Sequence, residues 1–246
     1  VDRQLDVSLP LVELLRGGSF RDLAHEVVAR WAEEEGPRPL DGDLSLDIAD
    51  RMHPEYPIAC DVVKSCYKQI YDADIEVQAE ELVVLRKQGR VVAAMALTPA
   101  AQRGLFSERY LAGQAEALIS ASERAPVERR QIAEVGTFAA ESTELAFALF
   151  ELTPQLARGM GYDYVLMTAS RYIQPLLTRS EADFQPLAVA SVTRLDAAQQ
   201  DQWGSFYEGA PRTGYFKLSE LRQATAFDLS RGTGPGLRAK LQGGRA

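Results

Sequence analysis

Apolar residues in the middle of the chain follow two alternating periods, one typical of strands and one typical of helices. Two apolar runs of strand length, Glu81–Arg86 and Val91–Leu97, flank the segment Lys87–Arg90, which has Gly89 near its tip. This pattern predicts an antiparallel hairpin. The second run is uninterrupted by polar residues, which indicates a buried strand.

Beyond this hairpin, predicted strands and helices alternate. Val127–Phe138 has strand character, and leucines at helical spacing follow it over Leu145–Met160. Tyr162–Thr168 and Phe184–Ser191 are further predicted strands, with a short helix at Ser170–Arg179 between them. Two antiparallel strands followed by a β-α-β-α-β order predict an α/β fold with a mixed central sheet flanked by helices.

The two ends of the chain differ from this middle part. Ser19 can cap a helix that ends before a linker rich in glycine and proline, so we predict an N-terminal helical appendage at residues 1–40. One domain is predicted at residues 41–230, with its sheet core beginning at Glu80, and a mobile tail at residues 231–246. An additional helix is predicted from four residues that share one helical face: Ile58, Val62, Cys66 and Ile70.

Composition and charge narrow the range of functions. The formal net charge of −8 gives no basic field for nucleic acid. No apolar run is long enough for a transmembrane helix, and the first residues do not resemble a secretory signal. Cys60 and Cys66 are poorly spaced for a disulfide, so we expect a reduced, cytoplasmic protein. His25 and His53 lack a second histidine or cysteine at metal-ligand spacing, so no metal site is predicted.

One carboxylate, Glu134, interrupts an otherwise apolar predicted strand. The strand breaks at Gly136 and leads into a helix, whose N-terminus suits a phosphate. A partly buried carboxylate has a raised pKa, which favours general-base chemistry near neutral pH. The alternative is a structural ion pair between Glu134 and Arg129 or Arg130. The pattern therefore indicates a place where a base could meet an acyl thioester.

Several short motifs resemble the thermostable hemolysin family in their order and spacing, over roughly residues 52–217. That family is similar to the autoinducer synthases and to the wider GCN5-related N-acyltransferase (GNAT) superfamily. Two departures from its pattern are Thr137-Phe138, where the family usually has Asn-Leu, and Pro154 in the long helix. The motifs are Leu105–Leu111, Glu116, Glu134–Ala139, Thr168–Arg171 and Trp203–Tyr207.

The resemblance implies a GNAT-like fold and a transfer of an acyl group from a phosphopantetheine thioester to a small amine, with no permanently bound cofactor. Glu134 would be the base, and Tyr207 or Tyr172 would protonate the leaving sulfur. The acyl-pantetheine arm would be held by Gly136, Thr137, Phe138, Ala139, Thr168 and Arg171. The acceptor would be held by Glu108, Glu116 and Trp203.

The donor is predicted to be an acyl carrier protein in preference to coenzyme A, although acyl-CoA stays open as an alternative donor. The superfamily's pyrophosphate-binding loop is missing after Phe138, as it is in autoinducer synthases, many of which use carrier proteins. Residues 9–24 also resemble the closing segment of a polyketide-type acyl carrier domain, although an ordinary helix would give the same pattern. If the likeness is real, it places the protein in secondary metabolite biosynthesis.

Each candidate residue also has a structural interpretation. Glu108, Glu116 and Arg171 could be solvated surface charges, Gly136 could mark a β-bulge, and Trp203 could be a core residue. Two other functions stay open. One is a non-catalytic domain that docks a carrier or megasynthase module. The other is a membrane-lytic protein, as the family name implies, although no long basic amphipathic helix supports it.

Overall fold

The computed structural model describes residues 44–179 and 183–218, and a seven-stranded sheet forms its centre. The strand order is β1-β2-β3-β4-β5-β7-β6, and every neighbouring pair is antiparallel except β4 and β5, which are parallel. This confirms the predicted α/β fold with a mixed sheet. The strands are β1 (Leu44–Asp50), β2 (Glu81–Lys87), β3 (Arg90–Pro99), β4 (Ile132–Ala140), β5 (Tyr164–Ala169), β6 (Gln185–Val189) and β7 (Arg212–Lys217).

Helices cover both faces of the sheet. The α-helices are α1 (Tyr56–Tyr71), α2 (Ala115–Glu123), α3 (Thr143–Gly159), α4 (Gln174–Arg179) and α5 (Ala197–Gln200). Short 3₁₀ helices are Phe106–Tyr110, Arg129–Gln131, Val192–Arg194 and Asp201–Gly209. In the part of the chain that the structure describes, no helix is long and apolar enough to cross a bilayer.

Strand periodicity divides the core between the two faces. In β2, Val83 and Leu85 pack with α3, whereas Leu82 and Val84 pack with α1, because successive side chains of a strand point to opposite faces. A third cluster packs α2 against β4, β5 and β7, with Ile132 as a member. Glu134 follows Ile132 by two residues, so the carboxylate points to the face that carries α1 and α2.

The parallel pair β4–β5 is short and diverges. The ladder joins Ile132–Val135 to Tyr164–Met167 and ends there, although β4 continues to Ala140. On its other side β4 stays paired with β3, but the register shifts between Ala94 and Ala96. After Val135, β4 therefore has no ladder partner on its β5 side among the described residues.

Several predicted elements needed correction. The sheet does not begin at Glu80, because β1 precedes it and pairs with β2, and β7 inserts between β5 and β6. The helix α1 exists, but Ile58 and Ile70 are exposed, and its buried face is different. That face consists of Ala59, Val63, Cys66, Tyr67 and Tyr71.

Other predicted elements agree with the structure or lie outside it. The hairpin β2–β3 turns at Gln88 and Gly89, both with positive φ, which suits the tight turn that was predicted. Cys60 and Cys66 are free thiols. The appendage at residues 1–40 and the tail at residues 231–246 lie outside the described residues.

Candidate active site

A cavity of about 460 Å³ lies where β4 and β5 diverge. Its wall combines one buried carboxylate, a set of hydroxyl groups and a set of aromatic rings. The polar residues include Glu134, Ser107, Thr137, Thr168 and Ser170. The aromatic residues are Tyr67, Tyr71, Phe106, Tyr110, Phe138, Trp203 and Phe206. A mostly apolar cavity with a few converging polar groups is typical of a site for a small organic ligand.

The carboxylate of Glu134 is buried and held by backbone donors. Oε2 accepts from the N–H of Phe106 at 2.8 Å, and Oε1 accepts from the N–H of Ser107 at 2.7 Å. These donors are the first N–H groups of the 3₁₀ helix, which are free to bind a side chain because they have no partner within the helix. Burial raises the pKa of Glu134, while the hydrogen bonds from Ser107 and Phe106 oppose that rise.

No basic side chain of the described residues pairs with Glu134. Arg130 binds Glu128, and Arg129 binds two other acids. The structural ion pair considered for Glu134 is therefore wrong within these residues. A buried carboxylate without a neighbouring cation has the properties of a base that works near neutral pH.

A row of hydroxyl groups continues from the carboxylate across the sheet. Ser107 Oγ lies 2.9 Å from Thr168 Oγ1, which lies 2.8 Å from Thr213 Oγ1. Ser107 and Thr213 are buried. Because each hydroxyl can donate and accept, this row fixes the rotamer of Thr168, a residue predicted to contact the acyl donor.

A bulge in β4 shapes the neighbouring wall. Thr137 has φ of +43°, a conformation that β-branched residues rarely adopt, and its Oγ1 is buried without a hydrogen-bond partner among the described residues. Gly136 and Phe138 line the cavity beside it, and Phe138 contacts Phe150 with ring centroids 6.4 Å apart. Ala139 is buried and does not line the cavity.

Two tyrosines that sequence analysis did not single out line the cavity. Tyr71, on α1, shares a hydrogen bond of 2.7 Å with Ser170 Oγ. Tyr110 shares one of 2.5 Å with the hydroxyl of Tyr207. Burial raises the pKa of Tyr71 and of Tyr110, so both hydroxyls are protonated near neutral pH. The signal for Tyr71 was its position four residues after Tyr67, on the same face of the helix.

The two tyrosines proposed as acids from the sequence lie further away. Tyr207 does not line the cavity, although its hydroxyl shares a hydrogen bond with Tyr110, which does, and Tyr172 is exposed. Arg171 lies over the ring of Tyr172, 4.9 Å from its centroid, and donates to its hydroxyl at 3.0 Å. Neither Arg171 nor Tyr172 lines the cavity.

Glu108 and Glu116 bind one arginine. Arg129 Nη1 lies 2.6 Å from Glu108 and 2.8 Å from Glu116, and Glu108 also accepts from the N–H groups of Leu105 and Ala115. The hydrogen bond from Arg129 lowers the pKa of Glu108 to about 2. Neither acid lines the cavity, so their contacts fit a positioning role better than the predicted acceptor-binding role.

Trp203 lines the cavity from the segment Asp201–Gly209, which is not one regular helix. Gly204 breaks it with φ of +45°, and a Cβ there would lie 2.2 Å from the carbonyl oxygen of Tyr71. Trp203 and Tyr207 therefore do not lie on one regular helix, although their ring centroids are 6.0 Å apart. Glycine lets this segment pack closely on the end of α1.

One group of metal-binding residue types lies elsewhere on the surface. His53 lies near Asp47 and Glu55, which sequence spacing did not reveal. Arg86 binds both carboxylates, and His53 Nδ1 accepts from the N–H of Glu55 at 3.2 Å. A guanidinium among these acids disfavours a second cation there.

Residues 49–220 match the sequence model of a family described as thermostable hemolysin. The chain belongs to the thermostable hemolysin family. None of the curated proteins compared with the chain matches it.

Solved structures with a similar chain path are acyl-transferring synthases. The AHL synthase LasI is 10% identical, with a TM-score of 0.49 over 74% of this chain and 94% of LasI. FeeM, an N-acyl amino acid synthase from uncultured soil microbes, is 19% identical, with a TM-score of 0.48 over 78% of this chain and 99% of FeeM. The CoA-dependent acyl-homoserine lactone synthase MesI is 14% identical, with a TM-score of 0.46 over 72% and 90% of the two chains. Similarities of this size do not establish a shared activity.

Four of the motifs that carry the hemolysin-family resemblance contribute to the cavity. Their members there are Leu105, Phe106, Ser107, Arg109, Tyr110, Glu134, Val135, Gly136, Thr137, Phe138, Thr168, Ser170, Trp203 and Phe206. The motif residue Glu116 and the predicted site residues Glu108, Ala139, Arg171, Tyr172 and Tyr207 lie outside it. The Thr137-Phe138 pair, which departs from the family pattern, therefore lies in the wall of the cavity.

Proposed function

We propose that this member of the thermostable hemolysin family is an acyltransferase that moves an acyl group from a phosphopantetheine thioester to a small amine. One observation carries the proposal. The buried carboxylate of Glu134 has no cationic partner among the described residues, and it lines a cavity beside the unpaired edge of β4. Such a cavity can hold a thioester next to a base.

The donor arm would lie along β4. After Val135 this strand has no partner on its β5 side among the described residues, so its backbone is available to the amide groups of pantetheine. Gly136 adds no side chain that would block this approach, and Phe138 and Thr168 flank it. The thioester would then lie near Glu134, and the rest of the arm would run toward α3.

Chemistry begins with Glu134 taking a proton from the acceptor amine, directly or through a water. The amine nitrogen attacks the thioester carbonyl and forms the amide bond, and the carbon–sulfur bond breaks. Backbone donors near Phe138 and Ala139 would stabilise the oxyanion. A tyrosine then protonates the thiolate. The cavity positions of Tyr71 and Tyr110 favour them over Tyr172, and Tyr207 could resupply Tyr110 through their shared hydrogen bond.

The charges beside α3 favour a carrier-bound donor over coenzyme A. Only two residues separate β4 from α3, and one of them, Glu141, forms an ion pair with Arg90, with 2.6 Å between Glu141 Oε1 and Arg90 Nη1. Ser142 caps the helix through Leu145 N–H, and Glu144 lies in the first turn. The cation here is already paired with Glu141, and Glu144 would repel a nucleotide pyrophosphate more than the single phosphodiester of a carrier arm.

Mass spectrometry of intact carrier proteins tests this function. A panel of acyl carrier proteins and acyl-CoAs would be mixed with the protein and pooled amines. Loss of the acyl mass from a carrier, abolished by Glu134→Gln, is the expected result. If only CoA thioesters are consumed, the acyl donor is coenzyme A and not a carrier protein. No consumption of any donor, with a carrier still bound, would instead indicate a non-catalytic docking domain.

A further inference from the structure

We infer that Arg109 binds a carboxylate of the acyl acceptor, so that the acceptor is an amino acid or a similar amine with an acidic group. The inference rests on the acyltransferase function proposed above and specifies its acceptor class. It concerns a residue that the sequence analysis placed in a motif but gave no role.

Arg109 has no acidic partner among the described residues, unlike Arg103, the other described basic residue that lines the cavity. The other residues of the helix Phe106–Tyr110 have hydrogen-bond partners within the protein. The N–H groups of Phe106 and Ser107 bind Glu134, Glu108 binds Arg129, and Tyr110 binds Tyr207. The side chain of Arg109 is exposed and lines the cavity, and no described carboxylate lies within 4.0 Å of it. Arg103, also on the cavity wall, lies 3.9 Å from Glu80.

Uncharged groups hold the guanidinium of Arg109 in place. It lies over the ring of Phe106, 4.6 Å from the centroid, and Nη1 donates to Gln199 Oε1 at 2.6 Å. Because neither partner is anionic, the positive charge is not neutralised. A guanidinium has five N–H donors in a planar fork, so donors are left for the bidentate binding of an oxyanion.

Phe106 connects this cation to the base. Its N–H donates to Glu134 Oε2 at 2.8 Å, while its ring supports the guanidinium of Arg109. A ligand in the cavity therefore meets a base and a cation that are fixed by the same residue. An amine that bears a carboxylate matches both groups, because its nitrogen can face Glu134 while its carboxylate faces Arg109.

The other source of an oxyanion is the phosphate of the donor, and the direction of β4 disfavours it. A pantetheine arm along the open edge would extend from Glu134 toward Ala140. Six residues of strand cover about 20 Å. The phosphate would therefore lie near α3, at the far end of β4 from Glu134, whereas Arg109 belongs to the helix Phe106–Tyr110, whose first N–H groups bind Glu134.

Paired acceptors test the inference. Thioester consumption would be measured with proteinogenic L-amino acids and with the amines obtained by removing their carboxylates. We expect the amino acids to be preferred and Arg109→Gln to raise their KM about 10- to 100-fold, the value of a charge-assisted hydrogen bond. KM and kcat for the matching amines should be unchanged, and Arg109→Lys should restore part of the affinity. Arg130→Gln is the matched control, because Arg130 is exposed and lies outside the cavity.

Three kinetic outcomes would overturn the inference. Amines without a carboxylate could be used equally well, the KM of amino acids could be unaffected in Arg109→Gln, or the variant could raise the KM of the acyl donor, which would assign the guanidinium to the donor phosphate. Calorimetric titration of the same amino acids needs no turnover. If the wild-type protein binds the amino acids and Arg109→Gln does not, the carboxylate site is supported even when no thioester is consumed. In that case only the proposed acyltransferase function fails. An absence of binding to the wild-type protein would overturn the site.

Discussion

Replacing Glu134 by glutamine removes the proposed base while nearly preserving its shape. A positioned general base contributes about 10²- to 10⁴-fold to a rate, so kcat should fall by that factor. Burial raises the pKa of Glu134, so the wild-type rate should rise with pH as this carboxyl group loses its proton. The variant should lack that acidic limb. The measurement is thiol release against pH, with Glu128→Gln as control because Glu128 is exposed and pairs with Arg130.

The same substitution should also change how the free energy of unfolding depends on pH, in a direction that follows from the raised pKa. Because the folded-state pKa of Glu134 is raised, the folded protein binds more protons than the unfolded chain between the ordinary and the raised pKa. Stability therefore falls as pH rises through this window, by about 1.4 kcal/mol for each pH unit that the window spans. Glutamine does not titrate, so the variant escapes this loss.

Glutamine also changes the hydrogen bonds of the site. Its NH₂ group cannot accept from the backbone, so one of the donors Phe106 N–H and Ser107 N–H loses its acceptor, at a cost of about 1–3 kcal/mol. The wild type should thus exceed Glu134→Gln in stability at acid pH, and the difference should shrink toward neutral pH. Urea denaturation across pH measures it. A difference that stays constant or grows with pH would refute the assignment of a desolvated base.

Three further experiments test the surroundings of the site. Glu108→Gln should destabilise the fold by about 1–3 kcal/mol at pH 7. Because Arg129 lowers the pKa of Glu108 to about 2, this difference in the free energy of unfolding should vanish as pH falls from about 4.5 toward 2. Urea denaturation at both pH values measures it, and a loss of stability that persisted in acid would contradict the prediction. Gly204→Ala should cost more than about 1 kcal/mol, because a Cβ would clash with the Tyr71 carbonyl, whereas Gly113→Ala, with open space around it, should change the free energy of unfolding by less than about 0.5 kcal/mol. Tyr110→Phe should lower kcat more than Tyr207→Phe, since only Tyr110 lines the cavity; equal single-turnover rates would remove Tyr110 as the acid.

Local patterns were sufficient for most of the sheet. The hairpin β2–β3 and the helix α3 have apolar residues at strand and helix periods, and these periods depend only on neighbouring residues. The strand β1 was missed because its sequence, LSLDIAD, contains acidic residues, and the partner that binds one of them lies far along the chain. Asp47 on this strand pairs with Arg86 on β2, a contact that only tertiary structure creates.

The buried face of α1 shows a second limit of sequence patterns. Ile58 and Ile70 are more apolar than Tyr67 and Tyr71, yet the tyrosines are buried and the isoleucines are exposed. The tyrosines are buried because Phe206 and Trp203 pack on them, with Tyr71 and Phe206 centroids 5.1 Å apart. Hydrophobicity alone cannot identify a face whose partner arrives from a distant segment.

The same reasoning explains why Glu134 could be predicted and its environment could not. An acid in an apolar strand is visible in sequence, because burying it without a partner is costly. Its stabilising donors come from Phe106 and Ser107, which precede it by 28 and 27 residues. Glu108, in the same short helix, binds Arg129 and so ties this helix to the segment just before β4. The motif residues therefore form two layers, in which Glu134 faces the cavity and Glu108 fixes the helix that orients it. A loss of activity in Glu108→Gln would for this reason be a loss of positioning, and it should leave the acidic limb of the pH–rate profile in place.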